Sequence, residues 1–469
     1  MKSGNLLNPV NEKTNLAVIT DNGSRLSYPE LQNYSDDLYK YVNERCLVFC
    51  LSKNTIGSFI GYISFISNRV VPLLLDSSMD IDLLRSLINM YNPKYMWLPD
   101  QTIKSFPQWK TIHSVLDYTL IQNISSNYFY LHDDLALLLT TSGSTGSPKL
   151  VRLSYENIDA NANSIAEYLS ITENERPITT LPMSYSFGLS IINSHLIKGA
   201  TILLTSKSLM EKEFWTFLTD KAATSMSGVP YTYEILKKLR FFRMDLPSLK
   251  TLTQAGGMMN NELNREFSDY CLHTKKRLFI MYGQTEATAR MSYLPPEHSL
   301  TKLGSMGIPI PGGEFSLIDE SGVTIEGNEI IGELVYSGRN VSMGYAECGD
   351  DLNKGDDNKG ILNTGDIAKR DSDDFYYIVG RKKRFIKIYG NRVNLDETER
   401  LLKRVISDSA CIGTDDHMKI YINDINRIDE IRNYVSSKTG IHHSAFVIKY
   451  IDKIPKNSSG KTIYSKLKI

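Results

Sequence analysis

The chain has 469 residues, more than one folding unit needs, so at least two domains are expected. Lys plus Arg balances Asp plus Glu at 53 each, which removes bulk charge as an argument for a nucleic-acid or anionic-membrane partner. Apolar residues at 41% and charged residues at 23% exclude a disordered or fibrous chain, and no apolar run reaches the roughly 18 residues of a membrane span.

From about residue 28 to residue 282, short runs of branched apolar residues alternate with helical patterns, as in an α/β domain. Strands are expected at Leu47–Leu51, Val70–Leu75, Tyr95–Leu98, Leu135–Thr140, Ala200–Leu204 and Leu278–Met281. Tyr155–Leu169 and Leu189–Ile197 carry apolar residues at helical intervals, so helices are expected on the faces of a mainly parallel sheet. After about residue 300 the texture becomes Gly-punctuated short strands, at Glu314–Ile318, Gly332–Tyr336 and Phe375–Val379. Beyond Lys383 come a strand at Phe385–Tyr389, a helix at Asp396–Val405, a strand at Lys419–Ile422, a helix at Ile428–Lys438 and a strand at Ala445–Tyr450. The expected class is therefore α/β: a large N-terminal domain, 1–382, of mainly parallel sheets covered by helices plus a small β-rich subdomain at about 300–382. A small α+β C-terminal domain, 383–469, follows it. Five cysteines lack ligand or disulfide spacing and the opening residues lack a secretory pattern, so a cytoplasmic protein is expected.

The strongest local pattern is Thr140-Thr141-Ser142-Gly143-Ser144-Thr145-Gly146-Ser147-Pro148-Lys149, directly after a buried-strand pattern. Its glycines let the backbone bend and approach a ligand, its hydroxyl and N–H groups donate to phosphate oxygens, and Lys149 supplies a point charge. The spacing is not that of a Walker loop, which weakens a P-loop kinase or GTPase reading. By composition alone the run also suits a flexible surface loop.

Other short patterns follow in order: Leu181-Pro182 with Ser186-Phe187-Gly188, Tyr282-Gly283-Gln284-Thr285-Glu286, Gly332-Glu333-Leu334, Thr364-Gly365-Asp366, Gly380-Arg381 and Ser459-Gly460-Lys461. Together with the Gly/Ser/Thr run, this ordered set resembles the adenylate-forming superfamily of acyl- and aryl-CoA synthetases, peptide-synthetase adenylation domains and luciferases. The resemblance implies ATP and Mg²⁺ as cofactors, and activation of a carboxylic acid as its acyl-AMP with release of pyrophosphate. It further implies transfer of the acyl group to a thiol, of CoA or of phosphopantetheine on a separate acyl-carrier protein.

On this resemblance Thr141, Ser142, Gly143, Ser144, Thr145, Gly146 and Lys149 cradle phosphate, Tyr282 lies against the adenine, and Gly256 and Gly257 bring backbone to the edge of its ring. Thr285 suits the α-phosphate, and Glu286 is a hard oxygen ligand for the metal. Asp366 accepts from the ribose hydroxyls with Arg381 beside it. Lys461 bridges the attacking carboxylate and the α-phosphate. Lys383 falls at the pivot of a mobile C-terminal domain. Lys387, Gly390 and Arg392 resemble positions lining the thiol tunnel on that domain's other face.

Pocket candidates by position in the resemblance are Tyr185, Gly188, Ser227, Gly228 and Ala287. Three departures stand out: Leu150 where the phosphate loop commonly continues with glycine, Tyr185 where many acyl-CoA synthetases carry histidine, and Tyr464 in place of a frequent arginine. Gly188 occupies the place of the aspartate that pairs with a substrate ammonium in amino-acid adenylation domains, so an acid without a free α-amino group is expected. The run Arg381-Lys382-Lys383-Arg384 lacks aromatic interleaving and reads as a solvated hinge. Two other readings stay open: an acyl-AMP-forming enzyme with an amine or hydroxyl acceptor, and a non-catalytic nucleotide-binding homologue.

Overall fold

The computed structural model describes residues 15–124, 128–140, 149–388, 391–414, 416–439, 441–456 and 462–467, and only the backbone of Lys383, Phe385, Lys387, Asn391, Arg392 and Asn394. Chain contacts divide the protein into two compact units, Met1–Glu314 with Tyr336–Leu362, and Phe315–Val335 with Asn363–Ile469. Lys383 lies inside the second unit, so these borders do not coincide with the expected division at 382/383.

In the first unit a nine-stranded sheet runs from Ile308–Pro309 through Ser292–Leu294, Arg277–Tyr282, Thr251–Gln254, Ser225–Gly228, Pro177–Ile178, Ile202–Leu204 and Leu16–Thr20 to Arg25–Ser27. Its pairings are parallel from Arg277–Tyr282 across to Leu16–Thr20 and antiparallel at both edges. The eight-stranded sheet is mixed rather than mainly parallel. Leu135–Thr140, Val71–Asp76, Leu47–Ser52 and Tyr95–Pro99 pair in parallel, whereas Leu150–Ser154, Tyr118–Gln122, Lys110–Val115 and Tyr345–Ala346 are antiparallel additions.

Strand Leu47–Ser52 shows why its sequence reads as one apolar run. Alternate side chains of a strand point to opposite faces, and both faces are buried: Val48 and Cys50 join one core cluster, Leu47, Phe49 and Leu51 another. The first cluster also takes in Phe279 and Met281 of the nine-stranded sheet, so it fills the space between the two sheets. Helix Ile56–Ser67 lies there and is buried on every residue but its last, as an apolar surface all round requires. Helices Tyr155–Tyr168 and Ser186–Leu196 line the same core. Ser154 ends a strand and caps the first of these helices, with the Asn157 side chain returning to its N–H.

The second unit holds most of a four-stranded sheet, ordered Gly313–Ile318, Ile330–Gly338, Ile361–Arg370 and Tyr376–Arg381. It continues with the hairpin Phe385–Ile388/Asn391–Asn394, helix Leu395–Leu402, and the sheet Ser409–Thr414, His417–Ile422 and Phe446–Tyr450 with helix Ile428–Thr439. Ile386, Ile388, Leu402, Ile420, Ile431 and Phe446 share one buried cluster, which ties hairpin, helices and sheet together. Among the described residues no helix is long and apolar enough to cross a membrane.

Candidate active site

Three adjacent parallel strands of the first unit, Ser225–Gly228, Thr251–Gln254 and Arg277–Tyr282, run side by side, with Gly228 opposite Gln254, Gln254 opposite Ile280 and the third strand continuing two residues further to Tyr282. Ligands of open parallel sheets bind in the crevice beyond such carboxyl ends. The segments leaving these ends are Val229-Pro230, Ala255-Gly256-Gly257 and Gly283-Gln284-Thr285-Glu286, so the sheet brings Ser227, Gly228, Gly256, Gly257, Tyr282, Thr285 and Glu286 to one edge. Gly256 has φ +79°, a conformation that L side chains adopt rarely, and a Cβ there would lie 2.6 Å from the Tyr185 hydroxyl. Gln254 is buried and its amide N–H₂ donates to the Ala255 and Gly257 carbonyls at 3.2 and 2.8 Å. Its Oε1 has no partner among the described residues, an acceptor that fits a purine-type N–H donor. Ser227 is held from below, its Oγ accepting from Thr253 at 2.7 Å and its carbonyl from Thr180.

The Thr285–Glu286 turn is fixed on both sides. Thr285 Oγ1 lies 3.1 Å from Ser186 Oγ at the start of helix Ser186–Leu196. Glu286 accepts through Oε1 from Tyr345 at 2.7 Å, and its carbonyl accepts from the Ser342 N–H at 2.9 Å. Burial and the adjacent Glu286 carboxylate raise the Tyr345 pKa, so the phenol stays protonated and donates. Asn340 locks the following residues, donating to the Ala287 carbonyl at 2.9 Å while its own carbonyl accepts from Thr288 at 2.6 Å. Ala287 is fully buried, a packing position beneath the turn. Among the described residues no cluster of three metal-ligating side chains exists. One oriented carboxylate is what a Mg²⁺ shared with phosphate oxygens needs, since that ion is bound by one or two carboxylates plus substrate phosphates.

Gly188 has a reason other than substrate choice. A Cβ there would lie 2.2 Å from the Pro182 carbonyl oxygen and 3.1 Å from that of Leu181, so no side chain fits, aspartate included. Tyr185 stands between the Gly256 backbone and the Phe187 ring, with centroids 6.3 Å apart, and burial pushes its phenol up to about 12. Lys149 pairs with Glu347 and lies 5.7 Å from the Tyr345 ring centroid. Leu150 is fully buried as the register partner of Thr140, so it belongs to strand Leu150–Ser154.

In the second unit Asp366 and Arg381 are register partners on neighbouring strands and form an ion pair at 3.4 Å, the carboxylate buried and the guanidinium exposed. The Asp366 N–H donates to Thr364 Oγ1 at 3.1 Å within the tight Thr-Gly-Asp turn, where Gly365 has φ +70°. The basic run is not a simply solvated hinge. Lys382 pairs with Glu333 at 2.6 Å, and Arg384 is mostly buried, bound to Asp396 and Glu399 and stacked on Tyr464 at 4.0 Å. Tyr464 donates to Glu399 at 2.9 Å, so the residue in place of arginine belongs to the interior of this unit. Lys387 and Arg392 are opposite each other across the hairpin. Thr141, Ser142, Gly143, Ser144, Thr145, Gly146, Gly390 and Lys461 lie outside the described residues, as do the side chains of Lys383, Lys387 and Arg392. Thr462 bridges Lys456, which brackets the segment that ends at Lys461. Tyr345 and Asn340 were not legible as site residues, because each acts through a partner more than two residues away in sequence.

The AMP-binding enzyme family matches residues 110–346. The 2-succinylbenzoate–CoA ligase of Bacillus licheniformis is 28% identical over 71% of this chain and 70% of its own length. The feruloyl-CoA synthase of an Amycolatopsis species is 28% identical over 71% and 69%. O-succinylbenzoate Coenzyme A Synthetase of Bacillus subtilis in complex with AMP superposes with a TM-score of 0.81 at 22% identity, over 100% of this chain and 98% of that one. The same enzyme with ATP and magnesium ion gives 0.79 at 20% identity over 99% of each chain. The strand-end crevice, the braced Thr285–Glu286 turn and the family match together place this chain: it belongs to the AMP-binding enzyme family.

Proposed function

We propose that the protein is an acid–thiol ligase. It joins a carboxylic acid to the α-phosphate of ATP, releasing pyrophosphate, and then passes the acyl group to the thiol of CoA with release of AMP. The observation that carries this reading is the convergence of Gly256, Tyr282, Thr285 and Glu286 at the carboxyl ends of three parallel strands, with Thr285 and Glu286 each braced by a second element. Both named relatives are CoA-ester-forming enzymes by their descriptions, which supports CoA as the acceptor. A separate carrier protein is the finer alternative.

In the adenylation step Thr285 donates its hydroxyl to the α-phosphate, and Tyr345 orients the Glu286 carboxylate, which would hold Mg²⁺. Mg²⁺, when bound, neutralises phosphate charge. Gln254 and the Gly256–Gly257 backbone hold the base, while Asp366 and Arg381 hold the ribose hydroxyls. Lys461 neutralises charge on the α-phosphate as pyrophosphate leaves, a contribution of the kind worth about 10²–10³ in rate. Lys387 and Arg392 serve the second step, in which the thiol sulfur attacks the acyl carbon and the AMP phosphate leaves. Incubation with ATP, Mg²⁺, CoA and a panel of fatty, aryl and hydroxy acids tests this by mass spectrometry. AMP and an acyl-CoA in equal amounts are expected; AMP with an amide or ester in place of the thioester would assign a different acceptor.

A further inference from the structure

We infer that Arg290 is a specificity residue for the acid, and that the preferred acid carries a second anionic group remote from the carboxylate that is activated. This rests on the adenylation reading above. Arg290 leaves the Thr285–Glu286 turn and runs into the interior, where it is 2% exposed. Its Nε donates to Ser190 Oγ at 3.2 Å, its Nη1 to the Tyr168 hydroxyl at 3.0 Å and to Met281 Sδ at 3.4 Å, and its guanidinium carbon lies 5.1 Å from the Phe187 ring centroid. Every one of these partners is neutral. Among the described residues no carboxylate makes an ion pair with it.

The contrast lies within the same unit. Arg152, also fully buried, pairs with Asp357 and donates to the carbonyls of Met343, Tyr345, Lys354 and Gly355. A charge withdrawn from water is costly unless an opposite charge compensates it. Arg152 has its compensation in Asp357; Arg290 has none among the described residues. His195, within electrostatic reach, is held neutral by burial and would add positive charge if protonated, so it offers no counter-charge in either state.

Position shows what supplies it. From the crevice inward the order is Gly256, Tyr185, Phe187, Arg290. Ser186 touches Thr285, and Ser190 touches Arg290, one helical turn along the same helix. Ser186 and Ser190 also line a cavity of about 10 Å³ with Asn161, Asn193 and Thr288. An acid whose activated carboxylate sits at Thr285 therefore extends along this helix toward the guanidinium, provided Tyr185 and Phe187 turn aside. Its far carboxylate would then form the charge-assisted pair that Arg290 lacks.

Carboxylate-dependent ATP–pyrophosphate exchange with matched acids tests this: hexanoate against adipate, and 4-phenylbutanoate against 4-(4-carboxyphenyl)butanoate. The diacid of at least one pair is expected to exceed its monoacid by about 10²-fold in kcat/KM. Arg290→Met should remove that preference through loss on the diacid alone, and Arg290→Lys should restore part of it. Equal rates within every pair, a monoacid preference, or an equal loss on both acids in Arg290→Met would overturn the inference while leaving adenylation intact. The wild-type comparison decides even if a variant fails to fold. No exchange with any of these or any other acid, despite ATP binding by calorimetry, would overturn the adenylation reading and the inference with it.

Discussion

Gly188 shows how a single residue changes meaning between sequence and structure. Its lack of a carboxylate is expected, from sequence, to speak about the substrate; the Pro182 carbonyl adds a packing reason, because a Cβ at this position would lie 2.2 Å from its oxygen. Gly188→Ala should therefore destabilise the protein by about 1–3 kcal/mol, the usual cost of overpacking, with a lowered midpoint in thermal unfolding. An unchanged midpoint would mean that the Leu181–Pro182 turn yields freely. His195 gives a second test at this scale. Burial lowers its pKa from 6.5 to about 4, and its Nδ1–H donates to the Ile191 carbonyl at 2.8 Å. The folded state then refuses a proton that the unfolded state accepts, so this stabilisation is present above pH 6.5 and is lost as pH falls toward about 4. It amounts to on the order of 3 kcal/mol. Stability measured across that window should fall in the wild type, and His195→Asn should flatten the slope.

Strands buried on both faces were legible because they read as continuous apolar runs, and Leu47–Ser52, Val71–Asp76 and Leu135–Thr140 fall where their composition places them. The antiparallel additions were not. Lys110–Val115 is half exposed and polar, and Leu150–Ser154, though buried throughout, has its apolar run interrupted by the charge of Arg152, so neither reads as a continuous apolar strand. The helix expected at Asp396–Val405 runs Leu395–Leu402 instead, ending before the basic Lys403-Arg404 pair. In the same region Arg384, Asp396, Glu399 and Tyr464 form a network drawn from three separate stretches of chain, which no local pattern announces. The hairpin beside it carries the element-scale prediction. Lys387→Ala and Arg392→Ala should each leave carboxylate-dependent pyrophosphate exchange within about twofold of wild type. Thioester formation from preformed acyl-AMP should drop by about 10²-fold, the cost of one charge-stabilising group. Loss of exchange in both variants would instead assign the hairpin to the first step.

At the scale of the whole molecule, the order of motifs made the family legible, and the alternation of elements made the α/β class legible. The borders of the compact units were not, because the chain passes between them at 314/315, 335/336 and 362/363, within or beside strands of one continuous sheet. A linker-like composition shift therefore does not mark them. Formation of an acyl-adenylate is the reaction on which the proposed function turns. Carboxylate-dependent ATP–pyrophosphate exchange by the wild type, reduced at least about 10²-fold in Lys461→Ala with ATP affinity little changed, is the predicted result. ATP binding without exchange, for any acid supplied, would contradict it and leave a nucleotide-binding protein that has given up the chemistry of its fold.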